Sequence, residues 1–431
     1  MFNLEDIVDF VRPRLPSLRL LIGSTGSLLT GLVAQALGFV ILARSLGTLQ
    51  FGHLMTITAL TTLANAWCGF GAGEVLRRLV SRDPSAYREA LGHTALMILA
   101  SGATLTALLL GGMIPFMPTA ANPLENLQIL ICLVPINVIV PSYINLVENI
   151  FLARGDFARA NLVAGGSGVV RALAAIVACG VFRVVTLRGW AIWWAGTHVC
   201  MCVVCLAATY RYGSPRWRVL PREIWLGGNL ALSNFLIMLR QNIDVLVLSA
   251  VMTSDFVGVY GAGRRLITAA LVVPGSFDRV VYSNLSIAGK HGPSATLQLA
   301  KRYLVYSLAL SGATSLLIFL VAPLTPLIFG VAFTQTAEVI RILSWTVVST
   351  AVQFVAFDAI NAAERHRIST IVSGVANAAG AAMVAGLGAA YGIIGVYAAL
   401  YLSDVSRGAA LWSALILMAR RQDRPTNQDS G

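Results

Sequence analysis

Arg240 and Asp244 stand four residues apart near the middle of a long apolar run, with Asn229 and Ser233 on the same helical face. A guanidinium at that depth is costly unless it meets water or a partner. Two chemistries fit the spacing. The pair can neutralise itself and pin two helices together. Alternatively the arginine, held by its aspartate, binds a phosphorylated group, because its fork donates two parallel hydrogen bonds and it stays charged. Arg264 and Arg265 are adjacent, so they point about 100° apart on a helix. Arg264 lies on a polar stripe with Tyr260 and Thr268 and is the better anion ligand of the two. Both also lie near a helix end, where they could snorkel to lipid headgroups. Arg171 sits mid-run beside Ser167 and Gly168, a place that calls for a cavity or a ligand.

Carboxylates form the second set. Glu148 shares a face with Ser142 and Asn145, and Asp358 precedes Asn361 by one turn. Asp404 lies on a stripe with Arg407, Tyr397 and Tyr401, which could contact a sugar or pair within the bundle. A membrane carboxyl can carry a proton or hold sodium, so Glu148, Asp358 and Asp404 are candidates for ion coupling. The competing reading places Glu148 and Asp358 near a cytoplasmic end, fixing loops. Asp278 with Arg279, and Glu338 with Arg341, read as structural pairs near helix ends. His198, Cys202 and Cys205 fall at i, i+4 and i+7, but no carboxylate nearby in sequence would support a metal. All six cysteines lie in apolar runs and read as packing residues. There is no Gly-Lys-Ser/Thr phosphate loop, no nucleophile elbow and no His-Glu-x-x-His. The chain is therefore expected to be no enzyme, to need no cofactor and no metal, and to draw energy from a gradient or a partner.

These residues must be positioned by membrane helices. Of the 431 residues, 57% are hydrophobic and 12% charged, with mean hydropathy +0.76; soluble domains carry about 25% charged residues. Apolar runs long enough to cross a bilayer are expected at 20–43, 51–71, 90–116, 124–152, 160–181 and 189–209. Six more are expected at 224–251, 256–287, 303–329, 337–363, 368–391 and 393–419. The net charge of +12 would suggest nucleic acid in a soluble chain. Here arginines gather in alternate loops, such as Arg77, Arg78, Arg82 and Arg88, or Arg211, Arg216, Arg218 and Arg222. The opposite side holds only Arg44, Arg183 and Arg188. That asymmetry predicts both termini in the cytoplasm and leaves no continuous basic face for nucleic acid. Met1–Val11 is acidic, unlike a secretory signal, and reads as a short interfacial helix. Pro135, Pro141, Pro274, Pro323 and Pro326 are expected to kink their spans. Gly165, Gly166 and Gly168, and Gly380 with Gly386, would allow close helix approach.

The chain repeats itself. Leu42–Gly52 matches Leu248–Gly258 at an offset of 206, placing Gly52 on Gly258. Glu148–Ala153 matches Asp358–Ala363 at an offset of 210, placing Glu148 on Asp358. Six spans per copy is an even number, so the copies are parallel and related by an axis along the membrane normal. The expected fold is an all-α membrane protein of about twelve transmembrane helices in two pseudo-symmetric six-helix lobes around a central cavity. The lobes are expected at 1–212 and 213–419, with a polar cytoplasmic tail at 420–431.

Ala43-Arg44-Ser45-Leu46-Gly47 followed by Phe51-Gly52 resembles the signature of the polysaccharide transporter (O-antigen flippase) family. That family belongs to the multidrug/oligosaccharidyl-lipid/polysaccharide exporter superfamily. Asn242-Ile243-Asp244-Val245-Leu246 with Val257-Gly258-Val259-Tyr260 resembles its second-half counterpart, and Ala153-Arg154-Gly155-Asp156-Phe157 also fits; Ser249–Asp255 departs by lacking the usual Leu-Gly step. The resemblance implies a two-lobed, alternating-access flippase in a bacterial cytoplasmic membrane that moves a polyprenyl-diphosphate-linked oligosaccharide outward. Arg171, Arg240, Arg264, Arg265, Asp244 and Tyr401 would then meet the lipid-linked cargo. Its partners would be membrane lipids, a coupling proton or sodium ion, and a polysaccharide polymerase with its chain-length machinery. Two other functions fit the same residues: a cation-coupled multidrug exporter of the superfamily, and a membrane glycosyltransferase or ligase.

Overall fold

The computed structural model describes residues 15–113, 123–210 and 212–422, with side chains from Val33 onward. The expected helix at Met1–Val11, and the tail beyond Gln422, lie outside the described residues. What is described consists of helices and their turns, with no strand. The helices are α1 (Leu15–Trp67), α2 (Ala72–Arg82), α3 (Tyr87–Met113), α4 (Pro123–Ala153), α5 (Phe157–Ala175) and α6 (Leu187–Tyr210). They continue with α7 (Pro221–Val251), α8 (Ser254–Ala270), α9 (Val272–Gly289) and α10 (Pro293–Val321). The last are α11 (Thr325–Phe329), α12 (Thr336–Leu343), α13 (Thr346–Ala362) and α14 (His366–Gln422).

Ten helical stretches are long and apolar enough to cross a membrane. Two of them are too long for one crossing. The 53 residues of α1 and the 57 of α14 would reach about 80 Å at 1.5 Å per residue, against a hydrocarbon layer of about 30 Å. Each is interrupted by a glycine with positive φ, Gly47 (71°) and Gly392 (60°). At Gly392 the chain folds back: a Cβ on Gly388 would meet Val396 at 2.8 Å, and one on Gly395 would meet the Leu387 carbonyl at 1.9 Å. Dividing both stretches at these glycines recovers the twelve expected spans.

Other spans are interrupted along their length. The second ends in a turn through Gly69 and Gly71 before amphipathic α2, and the eighth is split at Leu271 between α8 and α9. Pro274 lies in the first turn of α9, where its missing N–H costs nothing. Pro323 and Pro326 likewise open short helical turns. Pro135 and Pro141 lie inside α4, which runs from Pro123 to Ala153 without interruption.

Two compact units form. One holds the described residues up to Leu42 together with Trp67–Asn229; the other holds Ala43–Ala66 and the residues from Leu230 onward. By contact, the chain passes between the units at 42/43, 66/67 and 229/230, and the second span packs with the later unit. Within the first unit, α4 touches α2, α3, α5 and α6; within the second, α13 touches α9, α10 and α14. Those hubs are spans four and ten, which the repeat places in register. Lipid tails are as apolar as leucine, so such packing depends on close fit and small residues. Ala351, Ala356 and Ala359 of α13 are buried accordingly, and in the first unit Gly168 meets Gly31 where a Cβ would lie 2.6 Å from the Gly31 carbonyl.

The duplication appears in the contacts themselves. In the second unit, a Cβ on Gly52 would stand 1.8 Å from the Ser254 carbonyl, and one on Gly258 would stand 2.1 Å from the Thr48 carbonyl. Gly261 faces Met55, its match at the same offset of 206. Repeat-related residues thus touch one another across a local two-fold relation. Thr48 closes the crossing by donating to Asp255 Oδ1 at 2.5 Å.

Candidate functional site

Asp244 is fully buried in α7. Its Oδ2 accepts from the Tyr260 hydroxyl at 2.6 Å and from Arg264 Nε at 3.0 Å, while Oδ1 accepts from the Val245 amide at 3.0 Å. Tyr260 and Arg264 are one turn apart on α8, so they converge on one carboxylate. Asp244 is therefore the partner of Arg264 and not, as the four-residue spacing suggests, of Arg240. Arg240 crosses to α14 beside Gly380, where a Cβ would lie 3.0 Å from its Nε. There its Nη2 donates to Asp404 Oδ1 and to Ser403 Oγ, each at 2.7 Å. Ser349 donates to Asp404 Oδ2 at 3.3 Å, and Gln353 donates to the Asp404 carbonyl at 3.1 Å.

These two pairs form one cluster. Asp404 lies within electrostatic reach of Arg264 and of Arg407 as well as Arg240. Arg265, next to Arg264, is exposed. Arg407 is half-buried, and its Nε is buried without a hydrogen-bond partner. Three arginines, Arg240, Arg264 and Arg407, thus gather around two carboxylates, a formal excess of one positive charge among apolar helices. Asp244 grips Arg264 by Nε, which leaves the two terminal amino groups outside that bond. Tyr401 points elsewhere: its hydroxyl donates to the Ile342 carbonyl, one of the last-turn carbonyls of α12 that have no helical partner. Tyr397 lies 6.4 Å from Tyr260, ring to ring.

In the first unit, Arg171 folds back along α5. Its Nε donates to the Ser167 carbonyl at 3.0 Å and its Nη2 to Ser167 Oγ at 3.1 Å. The side chain is half-buried and within electrostatic reach of His198. His198 is stacked 4.1 Å from the Trp194 ring, with Nδ1 2.9 Å from the Trp194 carbonyl. Trp194 in turn donates to Asn137 at 2.9 Å. The histidine packs against an aromatic ring.

The two expected end pairs do not form among the described residues. Arg341 lies over the Phe319 ring at 5.4 Å. Asp278 turns to Asp358, and the two carboxyls come within hydrogen-bonding reach. Glu148, the repeat match of Asp358, stands half-buried near Arg77 and Glu74.

A family described as "Polysaccharide biosynthesis protein" matches residues 41–295, more than half of the sequence and most of the arginine cluster. The chain belongs to this family. No curated protein matches its sequence. Solved structures share its fold over nearly the whole length. An inward-facing multidrug resistance MATE family transporter of the MOP superfamily has a TM-score of 0.69 at 17% identity, covering 94% of this chain and 96% of that one. The lipid II flippase MurJ, in an inward closed conformation, also scores 0.69, at 12% identity with 96% and 94% covered. The Vibrio cholerae MATE transporter VcmN scores 0.58 at 15% identity, covering 94% and 97%.

In this polysaccharide biosynthesis protein, sequence reasoning found Arg240, Asp244, Arg264 and Asp404 but paired them wrongly. It passed over Ser349, Gln353 and Ser403 as site residues. Ser349 and Gln353 carried a readable signal, being polar residues four apart in an apolar span. Asp404 is engaged by Arg240 and Ser349 within the arginine cluster.

Proposed function

We propose that this polysaccharide biosynthesis protein is a flippase. It moves a polyprenyl-diphosphate-linked oligosaccharide across a bacterial cytoplasmic membrane by alternating access, with both termini in the cytoplasm. The observation that carries the reading is the excess of guanidinium over carboxylate around Asp244 and Asp404. Uncompensated cations within a bilayer call for an anionic occupant, and a diphosphate matches the guanidinium fork. Arg264 is pre-set for this role: Asp244 and Tyr260 fix it through one edge, and its terminal amino groups supply the fork. Arg240 and Arg407 stand beside it around Asp404. Arg171, in the first unit, is a separate candidate ligand for an anionic cargo. An exporter that bound cations at this cluster would present free carboxylates there, whereas Asp244 and Asp404 are both tied to arginine.

The test is flipping of a fluorescent polyprenyl-diphosphate sugar in liposomes holding the purified protein. Arg264→Lys keeps the charge and loses the fork. A hydrogen bond to a charged group contributes about 1.5–3 kcal/mol, so its flipping rate should fall at least about tenfold with yield unchanged. Arg171→Ala should also slow flipping. Wild-type rates in Arg240→Ala, Arg264→Lys and Arg171→Ala together would remove the anion site. Extrusion of organic cations without lipid flipping would turn the assignment to a drug exporter.

A further inference from the structure

The Asp278–Asp358 contact lies at the end of span ten that carries Arg365 and Arg367, the cytoplasmic end by arginine distribution. The two carboxyls line a cavity of about 400 Å³ with Arg279, Tyr282, Asn361 and His366. They come from α9 and α13, helices packed along one another. Asp278 Oδ1 is buried with no hydrogen-bond partner. Neither acid forms an ion pair among the described residues, although Arg279 and His366 share the cavity. His366 Nδ1 is instead 3.2 Å from Asn361 Oδ1. From α10, packed on both helices, Tyr303 accepts from Asn284 at 2.8 Å, while Lys301 and Arg302 are exposed.

The repeat supplies an internal control. Span four carries Glu148 where span ten carries Asp358, and α2 follows a break in span two as α9 follows a break in span eight. In the first unit the facing acid is Glu74, and Arg77 stands within electrostatic reach of Glu148. The second unit keeps the acids and has no arginine in that role. Two carboxylates in contact cannot both be ionised without strong repulsion. Where one repeat uses a guanidinium, the other requires a hydrogen ion.

We propose that Asp278 and Asp358 share one proton and act as the site through which the protein exchanges protons with the cytoplasm. This deepens the ion-coupling role of Asp358 by naming the ion and the second ligand. With the proton bound, a carboxyl–carboxyl hydrogen bond ties α9 to α13. When it leaves to the cavity, two adjacent anions remain and repel, and α9 is free to move about the break at Leu271. The tie is thus present at low pH and lost as pH rises through the titration of the pair.

Infrared difference spectra of the purified full-length protein test this without any lipid-linked sugar, so the outcome is separate from that of the flippase assay. Free Asp and Glu titrate near 3.9 and 4.3, so at about pH 6 an exposed carboxyl is ionised. The wild type should still show a protonated-carboxyl band there, equivalent to one group, that disappears as pH is raised. Growth on carbon-13-labelled aspartate should shift the band. Asp278→Asn and Asp358→Asn should each abolish it, and Glu148→Gln should leave it. Absence of the band, failure of the aspartate label to shift it, or its survival in both asparagine variants overturns the proposal. The label decides even if a variant cannot be purified.

Discussion

Asp244→Ala destabilises the protein by about 3–5 kcal/mol, the cost of stripping one partner from a buried ion pair. The aspartate is fully buried and satisfies both Arg264 and the hydroxyl of fully buried Tyr260. Without it, a guanidinium and a phenol are left without their acceptor. Asp244→Asn keeps an acceptor for Tyr260 and should fall between wild type and alanine. Thermal denaturation of the purified protein, followed by size-exclusion chromatography, measures the order. The double variant Asp244→Leu/Arg264→Met separates stability from transport. Replacing both members of a buried pair by apolar residues is often neutral or stabilising, so the double variant should regain most of the lost stability. It should not regain flipping. A double variant that is both stable and active would reduce the pair to a structural device and remove Arg264 from the site.

Gly52→Ala has the next largest expected effect. The added Cβ would lie 1.8 Å from the Ser254 carbonyl oxygen and 2.7 Å from its carbon. Both are backbone atoms of a packed helix and cannot rotate aside, so the cost should reach at least the ~1–3 kcal/mol of ordinary overpacking. Gly258→Ala meets the Thr48 carbonyl at 2.1 Å and should behave alike. Gly112→Ala and Gly386→Ala are the controls: nothing lies within 4 Å of either new Cβ. In an open helical position alanine is favoured over glycine by up to about 1 kcal/mol, so both controls should melt at or above the wild-type temperature. A Gly52→Ala protein as stable as wild type would show that the crossing is wider than described.

Much of the architecture was legible in the chain because its signals are local. A bilayer demands about 20 apolar residues per crossing, and the two longest helices divide at glycines, Gly47 and Gly392, whose backbone freedom is visible in the sequence. The match of Gly52 with Gly258 even named residues that touch. The site was legible only as a set of unusual residues. Arg240 and Asp244 looked like partners because four-residue spacing brings side chains together on an isolated helix.

The sequence by itself determined the spans, the duplication, the family signature and which charges fall within apolar runs. Tertiary structure decided who meets whom: Arg240 finds Asp404 at a separation of 164 residues, Arg264 finds Asp244 at 20, and Asp278 finds Asp358. Hydropathy and backbone conformation are properties of a short stretch. The partner of a buried charge is instead fixed by which helices are neighbours and where a glycine such as Gly380 lets a long side chain pass.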